Sequence, residues 1–438
     1  MSVADLNSSP ARAMRFLPVN DQSMLVELED LEHTLDLLAA LQAQPVAGVT
    51  ELVPAARTIL IQFDRWQTSA CALRQHIDGL NLARLGMVEG ARVEIPVHYD
   101  GEDVAEVAQI LGIDVAELIR RHTGQDYRVA FTGFAPGFAY LSGGHPSLNV
   151  PRRNTPRTRV PAGSVALGGA FSAVYPNDTP GGWQLLGRTE VPMWDLARNP
   201  PALLQPGTRV RFVDHSTLAR MADVDEKKAI VPAAQAQDAI QSVASMLVRA
   251  PGLQTLVQDR GRWGQAGQGV SASGALDQGA MRRANRLVGN AATVAVLESV
   301  AGGLQLQSQG DTVLAITGAT GPLTVTSRDG AQWSAARNQA LALADGDVLK
   351  LGEPDSGVRS YVAVRGGWQV AQVLGSSSTD TLARIGPPAL ALGMQLAVGS
   401  AQQALAVAAA DMALPSLPKA GDTVVIDVVM GPRTDWFT

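Results

Sequence analysis

Residues 131–141 read FTGFAPGFAYL, and residues 151–164 read PRRNTPRTRVPAGS. Together they place four arginines and repeated glycine and proline beside aromatic residues that would normally be buried. Glycine lets backbone N–H groups approach a ligand closely, proline fixes φ in loops, and guanidinium groups match the geometry of carboxylates and phosphates. This composition predicts an anion-binding surface. An irregular proline-rich crossover, whose arginines only pair with surface acids, is the alternative that local chemistry leaves open.

The sequence around these segments is typical of a β-barrel. From Arg92 to Val213, short apolar runs alternate with glycine and proline, a pattern that favours an all-β barrel. Asp103 and Asp114 each precede a glutamate by three residues, as in helix capping boxes. His122 falls in the last turn of the second of these helices, where the helix dipole favours a cation.

A small α/β unit precedes the barrel. Residues 24–26 and 59–63 are apolar runs suited to strands, and Asp30 can cap a helix between them. A further helix is predicted over 70–80. The predicted apolar stripe of the first helix consists of Leu31, Leu35, Leu38 and Leu41.

The last part of the chain again alternates strands with glycine-rich turns. Residues 312–316 and 361–364 are predicted strands, and a helix over 277–288 is capped by Asp277 and ended by Gly289 and Asn290. The fold class is therefore α+β and mostly β, with a small N-terminal α/β domain before β-barrels. The predicted segments are a small α/β domain (1–90), a barrel (91–215), a linker or surface helix (216–246) and a second barrel domain (247–438).

Several longer motifs resemble a known family. Residues 175–189 read YPNDTPGGWQLLGRT, and with 131–164 they resemble the signature of the B-type subunit of bacterial ATP-dependent 5-oxoprolinase, also called allophanate hydrolase subunit 1 or the kinase-inhibitor family. Residues 252–264 (GLQTLVQDRGRWG), 273–277 (SGALD) and 374–380 (LGSSSTD) are similar to the C-type subunit, the allophanate hydrolase subunit 2 family. The resemblance implies a B–C fusion of carboxyltransferase-domain type, with cyclophilin-like barrels.

The reaction that this resemblance implies is hydrolysis of 5-oxoproline to glutamate, driven by ATP cleavage. An unstrained lactam opens slowly because its carbonyl is weakly electrophilic and its nitrogen leaves poorly, and phosphorylation of the lactam oxygen would solve both problems. Such chemistry needs cations for phosphates and a group that moves protons. The candidate catalytic residues are His122 and Asp277. The candidate substrate- and nucleotide-binding residues are Gly133, Phe134, Pro136, Gly137, Arg152, Arg157, Gly181, Gly182, Arg188 and Arg260.

ATP, accompanied by Mg²⁺, is the implied nucleotide. The sequence contains no Gly-x-x-x-x-Gly-Lys-Ser/Thr loop, and residues 318–321 lack the strand–helix context of a dinucleotide site. Arginines and the Gly181-Gly182 turn would therefore have to bind the phosphates. No tightly bound cofactor and no protein metal site are predicted, because the six histidines lack zinc-site spacing and Cys71 is the only cysteine.

Charge and hydropathy restrict the partners and the location. A net charge of −6 argues against nucleic acid as a partner, and no apolar run reaches the roughly 20 residues that span a bilayer. Residues 1–15 lack the apolar core of a secretory signal, so a cytoplasmic location is expected. The predicted partners are a separate protein like the A-type subunit of 5-oxoprolinase and a small-molecule substrate, and a homo-oligomer is possible.

Two other functions stay open. The paired domains also resemble part of urea carboxylase, which suggests a carboxyltransferase module of urea metabolism, although no biotin-carrier or biotin-carboxylase region is present. Related pairs also act as a histidine-kinase inhibitor and its antagonist, which suggests a non-enzymatic regulator. The final residues, 431–438 (GPRTDWFT), resemble the middle of the C-type subunit. We therefore expect a truncated C-type half, with 435–438 packed on the remaining barrel or taken up by another chain.

Overall fold

A computed structural model describes residues 14–82, 91–218, 244–410, 417–428 and 430–434. The chain forms two compact units. Unit 1 holds Met1–Pro232, Trp263–Val270 and Val428–Thr438, and unit 2 holds Ala233–Arg262 and Ser271–Asp427. Unit 1 therefore contains two short segments from the second half of the sequence.

The N-terminal layer of unit 1 is an antiparallel sheet with two helices. Its elements are β1 (Arg15–Asn20), β2 (Ser23–Glu27), α1 (Leu31–Ala43), β3 (Val49–Pro54), β4 (Thr58–Phe63) and α2 (Ala70–Asp78). The four strands lie in the order β1-β2-β4-β3. Asp30 caps α1 by accepting the backbone N–H of His33, as predicted. The buried stripe differs slightly, because Leu37 is fully buried while Leu31 and Leu35 are only half-buried.

The barrel of unit 1 is a seven-stranded sheet in the order β12-β9-β10-β7-β6-β13-β5. Only β13 and β5 run parallel, and a bridge between His98 and Arg188 joins the two sides and nearly closes the sheet. A two-stranded ribbon pairs β8 with β11. The elements are β5 (Arg92–Val97), α3 (Val104–Leu111), α4 (Val115–Thr123), β6 (Tyr127–Thr132), β7 (Ala139–Ser142), β8 (Arg157–Val160), β9 (Ser164–Gly168), β10 (Phe171–Val174), β11 (Thr179–Gly181), β12 (Gln184–Arg188), β13 (Arg209–Asp214) and α5 (His215–Leu218).

Only one of the two predicted aspartate side-chain caps forms. The Asp114 carboxylate accepts the backbone N–H of Glu117 at the start of α4. Asp103 precedes α3 but makes no side-chain cap, so that prediction is wrong. The reason is tertiary: the Asp103 carboxylate is buried and bonded to two arginines from a distant segment.

Unit 2 consists of two sheets that share one apolar core. A six-stranded sheet has the order β20-β19-β22-β17-β14-β24, and a five-stranded sheet has the order β15-β16-β23-β18-β21. Residues from both sheets, such as Leu306 of β17 and Val362 of β23, are fully buried in that core. The elements are β14 (Ala244–Pro251), β15 (Gln254–Gln258), α6 (Gln278–Leu287), β16 (Val296–Val300), β17 (Leu304–Gln309), β18 (Thr312–Thr320), β19 (Leu323–Thr326), β20 (Gln332–Ala335), β21 (Ala340–Leu343), β22 (Val348–Leu351), β23 (Ser356–Val364) and β24 (Gln395–Val398).

Helix α6 covers the outer face of the five-stranded sheet. Its apolar side packs Met281, Ala284 and Leu287 against residues of β16, β18 and β23. Asp277 caps the helix by accepting the backbone N–H of Ala280, as predicted. Gly289 follows the helix at φ +76°, where any Cβ would clash with the carbonyl of Leu405. Sequence signals therefore placed both ends of this helix.

The fold class is confirmed as mostly β with a nearly closed, barrel-like sheet. The predicted domain bounds stay predictions. Most of the predicted linker, residues 219–243, lies outside the described residues, as do 435–438, and β14 begins already at Ala244. No helix in the described ranges is long and apolar enough to cross a membrane.

Candidate functional site

The signature loop at residues 133–138 connects β6 to β7. Its backbone N–H groups are mostly used within the protein: Gly133 donates to Phe138, and Gly137 donates to the carbonyl of Gln268 at 2.9 Å. Gln268 belongs to a 3₁₀ turn, Ala266–Gln268, that lies in the same unit. The N–H of Gly137 is therefore not available to an anion in this arrangement. Glycine is required at position 137 for a different reason: the backbone has φ +79° and packs closely on Met193.

Hydrogen bonds from two strands, β6 and β3, fix that 3₁₀ turn against the loop. Thr132 donates its hydroxyl to the carbonyl of Ala266 at 2.8 Å, and Glu51 accepts the N–H of Ala266 at 2.9 Å. Burial raises the pKa of Glu51, although backbone N–H groups of the turn oppose that rise. A Cβ at Gly269 would clash with the carbonyl of Ala135. The conformation of the signature loop is thus set by residues more than a hundred positions away.

Aromatic rings form a cluster beneath the loop. Phe138 contacts Tyr175 and Trp183 edge-on, with ring centroids 5.3 and 5.7 Å apart, and these three residues are almost fully buried. Phe134 is 53% exposed, has φ +70°, and meets Tyr175 at 6.2 Å. We call this set, together with Tyr140 and Arg152, the arginine–aromatic cluster.

Arg152 and the Gly181-Gly182 turn lie at the edge of this cluster. The guanidinium carbon of Arg152 is 5.6 Å from the centroid of the Trp183 ring, which is cation–π distance. A Cβ at Gly181 would clash with the Tyr175 hydroxyl, and Gly181 pairs with Arg157 across the β8–β11 ribbon. Burial raises the pKa of Tyr175, while a hydrogen bond to Trp183 and the charges of Arg152 and Arg157 oppose the rise. The structure therefore brings Phe134, Arg152, Arg157 and the two glycines together.

The other arginines of the motif hold carboxylates. Asp103, 3% exposed in its side chain, accepts from Arg153 at 2.8 Å and from Arg157 at 2.7 Å, and it also accepts the N–H of Leu185. Arg157 further contacts Glu102, yet its buried Nη1 atom has no partner among the described residues. Arg188 pairs with Asp100 on the surface. Much of the arginine-rich segment is thus fastened to the barrel, the structural alternative that the sequence left open.

His122 is fully enclosed in the barrel. Its Nδ1 lies 2.7 Å from the hydroxyl of Tyr99, its Nε2 lies 3.0 Å from Ser172, and its ring stacks on Phe212 at 4.4 Å. Burial lowers the pKa of His122 to about 3, so the imidazole is neutral at physiological pH. The expected cationic interaction with the helix dipole is therefore wrong. The catalytic role of His122 stays a prediction, for which this buried position offers no route to a substrate.

Asp277 lines a cavity of about 470 Å³ in unit 2. We call it the Asp277 cavity. Its polar lining comes from the N-terminal end of α6, the end of β18, the loop before β21, and β23: Asp277, Arg283, Thr320, Asn338, Arg359 and Tyr361. Apolar side chains such as Leu276 and Val358 complete its walls. The volume falls within the roughly 300–1,000 Å³ of small-molecule sites.

A buried glutamate organises the floor of this cavity. Glu298 accepts the N–H of Leu276 at 2.9 Å and the Nε–H of Arg359 at 3.1 Å. The Tyr361 hydroxyl accepts the N–H of Asp277 at 2.8 Å and lies beside Glu298. Burial is the main cause of the raised pKa of Tyr361. These bonds fix the backbone at Leu276 and Asp277 and orient Arg359.

A second polar centre of unit 2 lies where the sequence predicts no site. The Asp259 carboxylate accepts the hydroxyls of Ser376 and Ser378 at 2.6 Å, and the N–H groups of Gly261 and Ser377 at 2.7 Å. The almost fully buried guanidinium of Arg262 donates to the carbonyl of Ser378. The motifs Asp-Arg-Gly-Arg and Gly-Ser-Ser-Ser were the features of the sequence that could have predicted this centre. The nearby candidate Arg260 is exposed on this unit.

Comparison with known proteins identifies two families in sequence order. Residues 14–204 match the carboxyltransferase domain, subdomain C and D, and residues 268–438 match the carboxyltransferase domain, subdomain A and B. The first half is 37% identical over 191 residues to the B-type subunit of 5-oxoprolinase from Bacillus subtilis strain 168, spanning 40% of this chain and 79% of that protein. The chain is a carboxyltransferase-domain protein that fuses B-like and C-like halves.

Further relatives of this carboxyltransferase-domain protein cover each half. The B-type subunit of 5-oxoprolinase from Escherichia coli O157:H7 is 48% identical over 128 residues, which are 28% of this chain and 59% of that protein. The C-type subunit from Escherichia coli K12 is 43% identical over 140 residues, 32% of this chain and 43% of that protein. The crystal structure of TTHA0988 superposes with a TM-score of 0.74 at 33% identity, covering 91% of this chain and 78% of that one. The chain thus spans about half the length of several curated relatives.

Proposed function

We propose that this chain is the B/C component of an ATP-dependent 5-oxoprolinase, which cleaves 5-oxoproline to glutamate together with a separate A-type subunit. One observation carries the proposal: a single chain resembles two proteins, the B-type and C-type subunits of 5-oxoprolinase, that are named as parts of one enzyme. A cytoplasmic location and a possible homo-oligomer belong to the same proposal.

Within this proposal, the arginine–aromatic cluster is the nucleotide site. Exposed Phe134 offers a ring for the base, and Arg152 offers positive charge for phosphates. Arg157 is paired with two carboxylates, but its buried Nη1 has a donor without a partner among the described residues. An orphaned guanidinium N–H is costly without a partner, and an oxyanion would supply one. ATP would bind there as a substrate with its Mg²⁺, and Asp277 is the proposed proton-handling residue. A catalytic role for His122 would require the barrel to expose its ring, which is fully buried.

Replacing Arg152 tests the nucleotide site with little effect on the fold. We expect Arg152→Ala to weaken ATP binding at least about tenfold, because a charge-assisted contact is lost. The free energy of unfolding should change by less than about 1 kcal/mol, since Arg152 is exposed and, within the described part of the chain, its guanidinium lies over an aromatic face without an ion pair. Calorimetric titration with ATP and thermal unfolding measure the two quantities.

Arg159→Ala is the matched control, because Arg159 lies in the same segment but is 75% exposed and pairs with Asp178. It should bind ATP like the unaltered chain. Equal losses of ATP affinity in both variants would mean that general surface charge, and not a specific site, causes the effect. Normal ATP binding by Arg152→Ala would mean that the nucleotide binds elsewhere.

Activity is expected to depend on the partner. The purified chain alone should show no 5-oxoproline-dependent ATP hydrolysis, and addition of an A-type subunit should produce it. Coupled measurement of phosphate and glutamate release tests both statements. Full turnover by the chain alone would contradict the requirement for an A-type subunit. ATP hydrolysis without glutamate release in the mixture would contradict the proposed substrate.

A carboxyltransferase module of urea metabolism is the second candidate. Urea amidolyase of Saccharomyces cerevisiae is 36% identical over 137 residues, which are 31% of this chain and 7% of that protein. The carboxyltransferase descriptions of both halves also favour it. Urea-dependent consumption of carboxybiotin by the chain, with no response to 5-oxoproline, would support this candidate over the first.

A further inference from the structure

The Asp277 cavity contains polar groups that no described residue satisfies. Asn338 is only 8% exposed, lines the cavity, and has no side-chain hydrogen bond within the described part of the chain. Arg283 lines the same cavity without any ion pair among the described residues, and its buried Nε atom lacks a hydrogen-bond partner there. A guanidinium without an ion pair and an amide without a protein partner therefore line one cavity, which suits a ligand that supplies a partner to each.

The backbone at Asn338 has a defined position in the cavity wall. Asn338 adopts φ +59°, a left-handed conformation in which asparagine is enriched among non-glycine residues, and its N–H donates to the carbonyl of Ile316. The residue therefore lines the cavity from a fixed backbone position.

The charges of the lining select a class of ligand. Arg283 and Arg359 line the cavity opposite a single carboxylate, that of Asp277. The charge of Arg359 is partly neutralised from behind by Glu298, at 3.1 Å. With Glu298 counted, the two arginines and the two carboxylates balance, and Arg283 is left without an ion pair among the described residues. One unpaired guanidinium suits a monoanion, whereas a polyphosphate would also face the Asp277 carboxylate at close range. A second, amide-like function on the ligand would pair with Asn338 and donate its N–H to Asp277.

We propose that the Asp277 cavity binds a small monocarboxylate that also carries an amide, with Arg283 as the main partner of the carboxylate. The identity of the ligand rests on the proposed function: it is 5-oxoproline, whose lactam and carboxylate supply both features in one small molecule. Leu276, Val358 and Leu417 then contact its methylene groups. Arg283 is a binding and specificity residue, and Asp277 is placed at the lactam nitrogen.

The test uses calorimetric titration of the full chain. The unaltered protein should bind 5-oxoproline, and it should bind 2-pyrrolidone, the same ring without the carboxylate, at least about tenfold more weakly, a difference of about 1.4 kcal/mol. Arg283→Gln should lose at least about tenfold in affinity for 5-oxoproline but none for 2-pyrrolidone. Arg283→Lys keeps the positive charge but not the two-pronged guanidinium geometry, so its affinity for 5-oxoproline should lie between those of the unaltered chain and Arg283→Gln. Asn338→Asp, which tolerates the same backbone conformation, should also weaken 5-oxoproline binding.

Arg282→Gln is the matched control, because Arg282 is the neighbouring residue on α6 and faces solvent. It should bind 5-oxoproline normally, and thermal unfolding should show that all variants are folded. Normal binding by folded Arg283→Gln would overturn the inference while leaving the proposed function intact. Binding of N-acetylglycine, but not of 5-oxoproline, in an Arg283-dependent manner would support the cavity inference and contradict the proposed substrate. Absence of binding by all these carboxylates would overturn the inference.

Discussion

Asp259→Ala is expected to destabilise unit 2 by about 4 kcal/mol, because the change removes the acceptor of four hydrogen bonds in a buried site. Two serine hydroxyls and two backbone N–H groups would be left without a partner where water has little access. The neighbouring Arg262 guanidinium would also lose a compensating negative charge. Urea denaturation followed by near-UV circular dichroism measures the loss.

The effect should depend on pH in a defined direction. Burial alone would raise the pKa of Asp259, but hydrogen bonds from Ser376, Ser378 and two N–H groups lower it overall, below its ordinary value of 3.8. A depressed folded-state pKa means that the stabilisation is complete above the unfolded value and is lost as the pH falls through the folded one. The difference between the unaltered chain and Asp259→Ala should therefore be constant near neutrality and shrink below about pH 4.

Two further variants distinguish the contribution of the Asp259 charge from that of its buried position. Asp259→Asn keeps one acceptor oxygen and should recover part of the lost stability. Glu353→Ala removes an exposed carboxylate of the same unit and should change stability by less than about 0.5 kcal/mol. Equal stability of Asp259→Ala and Glu353→Ala would show that the serine contacts contribute nothing.

Asp103→Ala should have a comparable effect on unit 1, about 3 kcal/mol, because removing one member of a buried ion pair leaves the other charge uncompensated. Asp103 serves both Arg153 and Arg157. The N–H of Leu185 in β12 would also lose its acceptor. The variant should therefore loosen the arginine-rich segment from the barrel, which limited proteolysis at Arg152 or Arg153 would detect together with reduced thermal stability.

Glu102→Ala is the control for this prediction. Glu102 contacts Arg157 at 3.1 Å but is 77% exposed, and exposed ion pairs contribute about 0–1 kcal/mol. A large loss on Glu102→Ala, with little on Asp103→Ala, would contradict the role given to burial. The same reasoning makes Arg157→Ala a destabilising change, so its activity alone cannot report on nucleotide binding.

Local sequence signals determined several features of the chain. The caps at Asp30, Asp114 and Asp277 follow from short-range hydrogen bonds between a side chain and the N–H three residues later, so the sequence alone located these helices. Short apolar runs between glycine-rich turns likewise predicted strands such as β18 and β23, because such runs suit strands that are buried on both faces. Long motifs in order identified the family.

Only the tertiary structure decided what the charged residues do. Asp103 has the local pattern of a cap, yet Arg153 and Arg157, some 50 residues later, compete for its carboxylate and are favoured by burial. The histidine at position 122 sits where a helix dipole favours a cation, but desolvation outweighs the dipole and keeps it neutral. The cavity beside Asp277 is assembled from α6, β18, the turn at Asn338 and β23, which are far apart in the sequence. The spacing of residues in the sequence predicts contacts between near neighbours only. Burial and pairing with residues far away in the sequence set the charge state and the accessibility of a side chain.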